Sequence, residues 1–178
     1  MMGRFTTPLE GHDAGPWPPG PQIPAPLRLH ETVVAAEWTD YNAHLSEWAY
    51  LQVFGDSADA FFRFFGVDEA YRAGGRSLFT AETHLRHLGE ARAGDRLRLT
   101  LQVLGVDSKR LHILHEMYGA GAELVATAEQ LLVHADTRSG RSAPFPDLVA
   151  GRLAQIQAAH AALPVPRYVG HVITIGSR

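Results

Sequence analysis

From position 48 to 65 the apolar residues follow a rhythm that few folds can accommodate. Trp48, Leu51, Phe54, Ala58, Phe61 and Phe65 recur at three- and four-residue spacing, while Gln52, Asp56, Asp59 and Arg63 lie towards the other side. That is the signature of a helix with one buried face. Ser46 is placed to cap its start and Gly66 to stop it. Gly55 interrupts it at a cost of about 1 kcal/mol relative to alanine. It marks a close approach of backbone or ligand, or tight helix–sheet packing. So apolar a helix is expected to be wrapped by a curved sheet rather than to lie at the surface.

The rest of the chain supplies that sheet. Leu29 to Trp38 reads as a strand, and Ser77 to Leu88 alternates loosely. After a turn at Gly94-Asp95, Arg96 to Val103 alternates cleanly with period two. Asp107-Ser108-Lys109 and Gly119-Ala120-Gly121 separate two further strands, Arg110 to Tyr118 and Glu123 to His134. Turns this short imply an antiparallel meander. Pro146 leads into an alanine-rich helix, roughly Asp147 to Ala162, closed by Pro164 and Pro166. One apolar helix followed by an antiparallel sheet is an α+β pattern. Residues 1–27, with seven prolines interleaved by glycines, are expected to form an extended or disordered arm. The expected division is that arm, a domain over 28–146, and a C-terminal helix and tail over 147–178.

Composition narrows the function classes. A net charge of −3 gives no reason to expect a nucleic-acid partner. The absence of cysteine removes disulfides, thiol catalysis and thiolate–zinc sites, and suits a reducing compartment. No apolar run approaches the roughly 18 residues of a membrane span, and no secretory signal heads the chain, so the expected location is the cytoplasm. Two pairs have a metal-like look, His84-x-x-His87 and His112-x-x-His115. On a strand, residues three apart point to opposite faces, so neither pair can chelate and no metal is expected.

The polar loop before the helix reads Asp40-Tyr41-Asn42-Ala43-His44-Leu45-Ser46-Glu47-Trp48-Ala49-Tyr50. With its strand, helix and meander it resembles the hotdog-fold thioesterases of the 4-hydroxybenzoyl-CoA thioesterase type, over roughly residues 29–137. Their loop reads Asp-x-x-Gly-His-Val-Asn-Asn-x-x-Tyr, so Asp40, His44 and Tyr50 fall in register. Ala43 replaces a frequent glycine, and Ser46-Glu47 a frequent Asn-Asn. The segments Leu51 to Asp56, Glu82 to Glu90 and Ala126 to Gln130 are similar to one branch, the betainyl-CoA thioesterases and the thioesterase-like domain fused to some carnitine dehydrogenases. No Gly-x-Gly-x-x-Gly fingerprint of a dehydrogenase is present.

The resemblance implies hydrolysis of a small acyl-CoA, betainyl-CoA in particular, by a homodimer or a dimer of dimers with active sites between subunits. Coenzyme A enters as part of the substrate and no other cofactor is implied. Asp40 is then nucleophile or general base, Asn42 and His44 orient the thioester or water, and the backbone near Glu47 donates to the oxyanion. The bland alternative for Asp40 is a turn-stabilising carboxylate. By alternation, Glu82, His84 and Arg86 share one strand face, with Glu82 a second candidate for general base or cation partner. Trp38, Tyr41, Trp48, Tyr50 and Phe54 surround the loop and suit a trimethylammonium group, though Trp48 and Phe54 fit a core role equally. Arg86, Arg92, Lys109, Arg110 and Arg141 are available for coenzyme A phosphates. Two other readings remain: a hotdog hydratase or dehydratase, and a non-catalytic acyl-CoA-binding protein.

Overall fold

The computed structural model describes residues 15–18, 22–173 and 175. The elements run β1 (Glu31–Val33), a 3-10 turn (Ala36–Trp38), α1 (Glu47–Phe65), α2 (Glu69–Ala73), β2 (Arg76–His87), β3 (Arg96–Val106), β4 (Arg110–Tyr118), β5 (Leu124–Asp136), β6 (Arg141–Ser142) and α3 (Asp147–His160). One antiparallel sheet orders its strands β1-β3-β4-β5-β2, with β6 on the end of β5. It curls about α1 into the half-barrel of the hotdog fold. Two apolar clusters fill the space between sheet and helices. One joins Phe61 and Phe65 of α1 to Leu101, Ile113, Leu132 and α3, and the other joins Tyr50, Val53 and Phe54 to Leu97, Met117 and Ala126. Phe54, Phe61 and Phe65 are fully buried, each contributing about 1.5–3 kcal/mol by removal from water.

α1 begins and ends where its punctuation places it. Ser46 is extended and Gly66 holds a left-handed φ of 100° whose N–H returns to the carbonyls of Arg63 and Phe62. The buried face is rotated from the expected stripe, however. Trp48 and Leu51 are 53% and 47% exposed, while Ala49, Tyr50, Val53, Ser57, Ala60 and Phe62 are buried. The sheet wraps more than half of the helix, so its core face is wider than a three-four stripe. A Cβ added at Gly55 would meet nothing within 4 Å, so packing inside the chain does not require that glycine.

Three other expectations need correction. The strand expected over Leu29 to Trp38 pairs as a strand only over Glu31–Val33. Its partner β3 begins at Arg96, opposite Val33, and beyond that point the chain tightens into the 3-10 turn. The strands from 77 onward do not form a simple meander, because β2 pairs with β5 at the far side from β3. The Gly94-Asp95 turn bonds to Val34 instead of closing a hairpin. Finally, the boundary expected at 27/28 falls inside packed structure. Ile23 and Leu27 are buried, and Leu27 exchanges backbone hydrogen bonds with Leu101. Trp17 lies 5.2 Å from the Phe64 ring. Apolar residues between prolines were enough to join the core. The first fourteen residues of the expected arm lie outside the described residues.

Candidate active site

The loop between the 3-10 turn and α1 is closed at its neck and tied across its middle. Ser46 N–H donates to the Trp38 carbonyl (2.8 Å), Asp40 N–H to the His44 carbonyl (2.9 Å) and Ala43 N–H to the Asp40 carbonyl (3.0 Å). The Asp40 carboxylate faces inward, its Oδ1 accepting from the amides of Asn42 (2.8 Å) and His44 (3.4 Å). This is the turn-stabilising arrangement read as the bland alternative. It occupies one oxygen; among the described residues Oδ2 accepts nothing. Ala43 completes the turn at φ 60°, where the related loops frequently carry glycine.

Immediately after the loop, the head of α1 offers donors. The Ser46 side chain makes no cap, and the first internal bond is Ala49 N–H to the Ser46 carbonyl (2.9 Å). The amides of Glu47 and Trp48 meet no acceptor among the described residues. Unpaired first-turn amides and the positive end of the helix dipole favour an oxyanion placed there. Glu47 presents its backbone N–H at this helix head, with its side chain exposed.

A second segment buttresses the loop. The imidazole Nε2 of His44 lies 3.1 Å from the Glu90 carboxylate. Leu45 N–H donates to the Ala91 carbonyl (2.7 Å), and the Tyr50 hydroxyl donates to the Gly89 carbonyl (3.2 Å). Tyr50 is buried, packed edge-on against His87 at 4.7 Å. Burial first, and the charge of Glu90 second, push its hydroxyl pKa up. Its polar atom is thus committed to the scaffold. Glu90 was not singled out from the sequence as a site residue. It stands at the end of the quoted segment Glu82 to Glu90, but only the tertiary crossover places it beside His44.

Trp38, Asp40, Asn42, His44, Glu47 and Trp48 are therefore brought together at one helix head, with Tyr41 fully out in solvent beside them, 96% exposed. Glu82, His84 and Arg86 are not brought to this group within the chain. They do share a face, opposite Leu131, Glu129 and Thr127 of β5, but that face looks away from α1. Leu85, between them, packs into the core cluster that holds Tyr50. Arg86 instead lies 5.3 Å over the ring of Tyr168. The same alternation sends His112 outward to Glu129 (2.8 Å) and His115 inward to Ser57 (3.1 Å). Two cavities on the outer face, of about 860 and 510 Å³, have none of the loop residues in their walls. In the single chain the helix-head loop is an open shelf.

The family described as the thioesterase-like superfamily matches residues 34–153, which include the whole loop and α1. Over 150 residues the chain is 47% identical to the L-carnitine dehydrogenase/betainyl-CoA thioesterase of Rhizobium meliloti, covering 82% of this chain and 30% of that protein. It thus spans less than a third of that bifunctional relative. It is 46% identical over 149 residues to the betainyl-CoA thioesterase of Pseudomonas aeruginosa, covering 83% of this chain and 94% of that one. Among solved structures, a hypothetical protein of Staphylococcus aureus in complex with CoA superposes with a TM-score of 0.80 at 27% identity, covering 85% of this chain and 98% of the other.

Proposed function

The chain belongs to the thioesterase-like superfamily, and on that premise we propose that it hydrolyses a small acyl-CoA to the free acid and CoA, with betainyl-CoA as the substrate. The observation that carries this reading is the pairing of a half-committed carboxylate, Asp40, with the open amides of Glu47 and Trp48 at a helix head. The thioester carbonyl oxygen is received by those amides. Asp40, through Oδ2, attacks the carbonyl or takes a proton from the attacking water. Negative charge then gathers on the carbonyl oxygen where the dipole favours it. Where water attacks, Asp40 hands the proton it took to the sulfur, and CoA leaves as the thiol with the free acid. Where Asp40 attacks, CoA leaves as the thiolate and is protonated by solvent, and water then hydrolyses the acyl–Asp40 anhydride to the free acid. His44, held by Glu90, and Asn42 orient the reacting groups. No cofactor is required beyond the CoA carried by the substrate.

The acyl group of betainyl-CoA ends in a cation. Aromatic faces with a carboxylate nearby bind such a group, and Trp38, Tyr41 and Trp48 stand beside the loop with Glu47 among them. These side chains need a second wall. β2 pairs with β5 alone and leaves its other edge without a strand among the described residues. A second copy laid along that edge covers it and closes the shelf, so the working unit is a homodimer or a pair of dimers. No helix among the described residues is long and apolar enough to cross a membrane, and the proposed location is the cytoplasm.

Thiol release from a panel of acyl-CoAs, with betainyl-CoA among neutral short chains, tests this reading together with Asp40→Asn. Asparagine keeps an oxygen for the two loop amides but removes the charge. The expected outcome is betainyl-CoA turned over fastest, and kcat reduced by about 10² or more in the variant while CoA binding persists. Faster hydrolysis of the neutral substrates removes the aromatic cage, and unchanged turnover removes Asp40 from the chemistry.

A further inference from the structure

The outer face of the sheet is not simply wetted. By register Arg98, Thr100 and Gln102 of β3 and Leu114, Glu116 and Tyr118 of β4 point away from α1. Yet Leu114 and Thr127, both outward-facing, are 1% exposed. The chain after α3 returns across them. Gln102 Nε2 donates to the Pro164 carbonyl (3.3 Å), Gly170 N–H donates to Glu129 Oε2 (2.8 Å), and Arg86 stacks on Tyr168. Between this strap and the segment 26–31 lies the cavity of about 860 Å³, well inside the range of about 300–1,000 Å³ typical of small-molecule sites.

Its walls are sorted by chemistry. Leu29, Leu114, Leu163, Pro164 and Pro166 supply apolar surface. The acids in the lining are already engaged: Glu31 with Arg96 (2.8 Å), and Glu116 with the hydroxyls of Tyr118 (2.8 Å) and Thr100 (3.4 Å). The guanidiniums keep donors to spare. Arg98 gives one N–H to the Gly119 carbonyl (3.3 Å), and Arg28 meets no acceptor among the described residues. Arg28 lies close enough for its charge to act on the Tyr118 hydroxyl, which borders the same cavity. A planar fork with spare donors matches a carboxylate, which it grips with two parallel bonds.

We propose that this cavity is a second binding site for an amphiphile with a single carboxylate head, the head on Arg28 and Arg98 and the tail against Leu114 and the proline strap. The site is separate from the helix-head loop, because the sheet stands between them. Isothermal titration of the full chain with dodecanoate tests it, using dodecyltrimethylammonium as the oppositely charged twin. The expected result is saturable uptake of one dodecanoate per chain and none of the cation. Arg28→Ala or Arg98→Ala weakens binding about tenfold, while Asp40→Asn leaves it unchanged. Both arginines are exposed, and melting curves matching the parent confirm that each variant folds. Equal binding of the two amphiphiles, uptake of many molecules per chain, indifference to both arginine substitutions, or loss through Asp40→Asn overturns the proposal. So does a change in particle mass in the arginine variants without loss of dodecanoate, which makes the face a contact between copies.

Discussion

Ala43 sits at φ 60° in the turn that aims Asp40, a conformation in which an L side chain costs about 1–2 kcal/mol. The loop tolerates it because four backbone bonds and the Asp40 carboxylate over-determine the turn. Glycine removes the clash but frees the unfolded chain, at a cost of about 0.4–1 kcal/mol. The balance predicts that Ala43→Gly raises unfolding free energy by about 0.5–1 kcal/mol in denaturant titration. A loss of stability would mean that the methyl group contributes contacts that outweigh the strain. At the same scale, the sequence identified Asp40, Asn42 and His44 as neighbours because they adjoin in the chain. Glu90, 3.1 Å from His44, carried no local signal of that contact, since the two are separated by α1, α2 and β2.

α1 presents two faces with different partners. Its inner face fills both apolar clusters, while Trp48, Leu51 and Gly55 form an outer stripe at spacings of three and four. A methyl at Gly55 enters open space, so Gly55→Ala is expected to stabilise the helix by about 1 kcal/mol, read as a shifted denaturant midpoint. Destabilisation together with a fall in particle mass would instead place the stripe in the contact between copies. α3 shows how an element is locked by one side chain. The amides of Leu99 and Leu101 on the β1 side of β3 bond to His30 and Leu27; the next amide on that side, Val103, donates to His160 Nδ1 instead, at 2.9 Å. With Nδ1 accepting, Nε2 carries the proton and donates to the Pro24 carbonyl at 3.1 Å. One imidazole thereby joins α3, the sheet and the N-terminal segment.

Across the molecule, neutral histidines tie stability to pH. Burial lowers the pKa of His30, His160 and, to about 3, His115. Since each folded value lies below the usual histidine value of 6.5, the unfolded chain takes the proton first on acidification. The stabilisation is therefore complete above about pH 6.5 and is lost below it, for His115 progressively down to about 3, with a limiting slope of about 1.4 kcal/mol per pH unit per group. Asp56 works in the opposite sense. Burial, then Asp59, raises it from 3.8 to about 6, so the folded state takes that proton first and recovers part of the loss. Three groups against one predict a net fall in denaturation midpoint between pH 7.5 and 5, measured at constant ionic strength; a flat profile would mean that the histidines are solvated in the native state.

Local pattern was sufficient for what depends on neighbours in the chain. The period of 3.6 and the Gly66 stop set α1 between Ser46 and Gly66, the flanking turns set β4 at Arg110–Tyr118, and the loop chemistry set Asp40 ahead of the helix. What required the folded chain was everything fixed by long-range pairing. The place of β2 beside β5, the outward face of Glu82, His84 and Arg86, the rotation of α1 that bares Trp48, and the strap over Leu114 all follow from which distant surfaces meet. Residue periodicity defines a face for each element, but a strand's two faces are equivalent until burial against a particular partner makes them different.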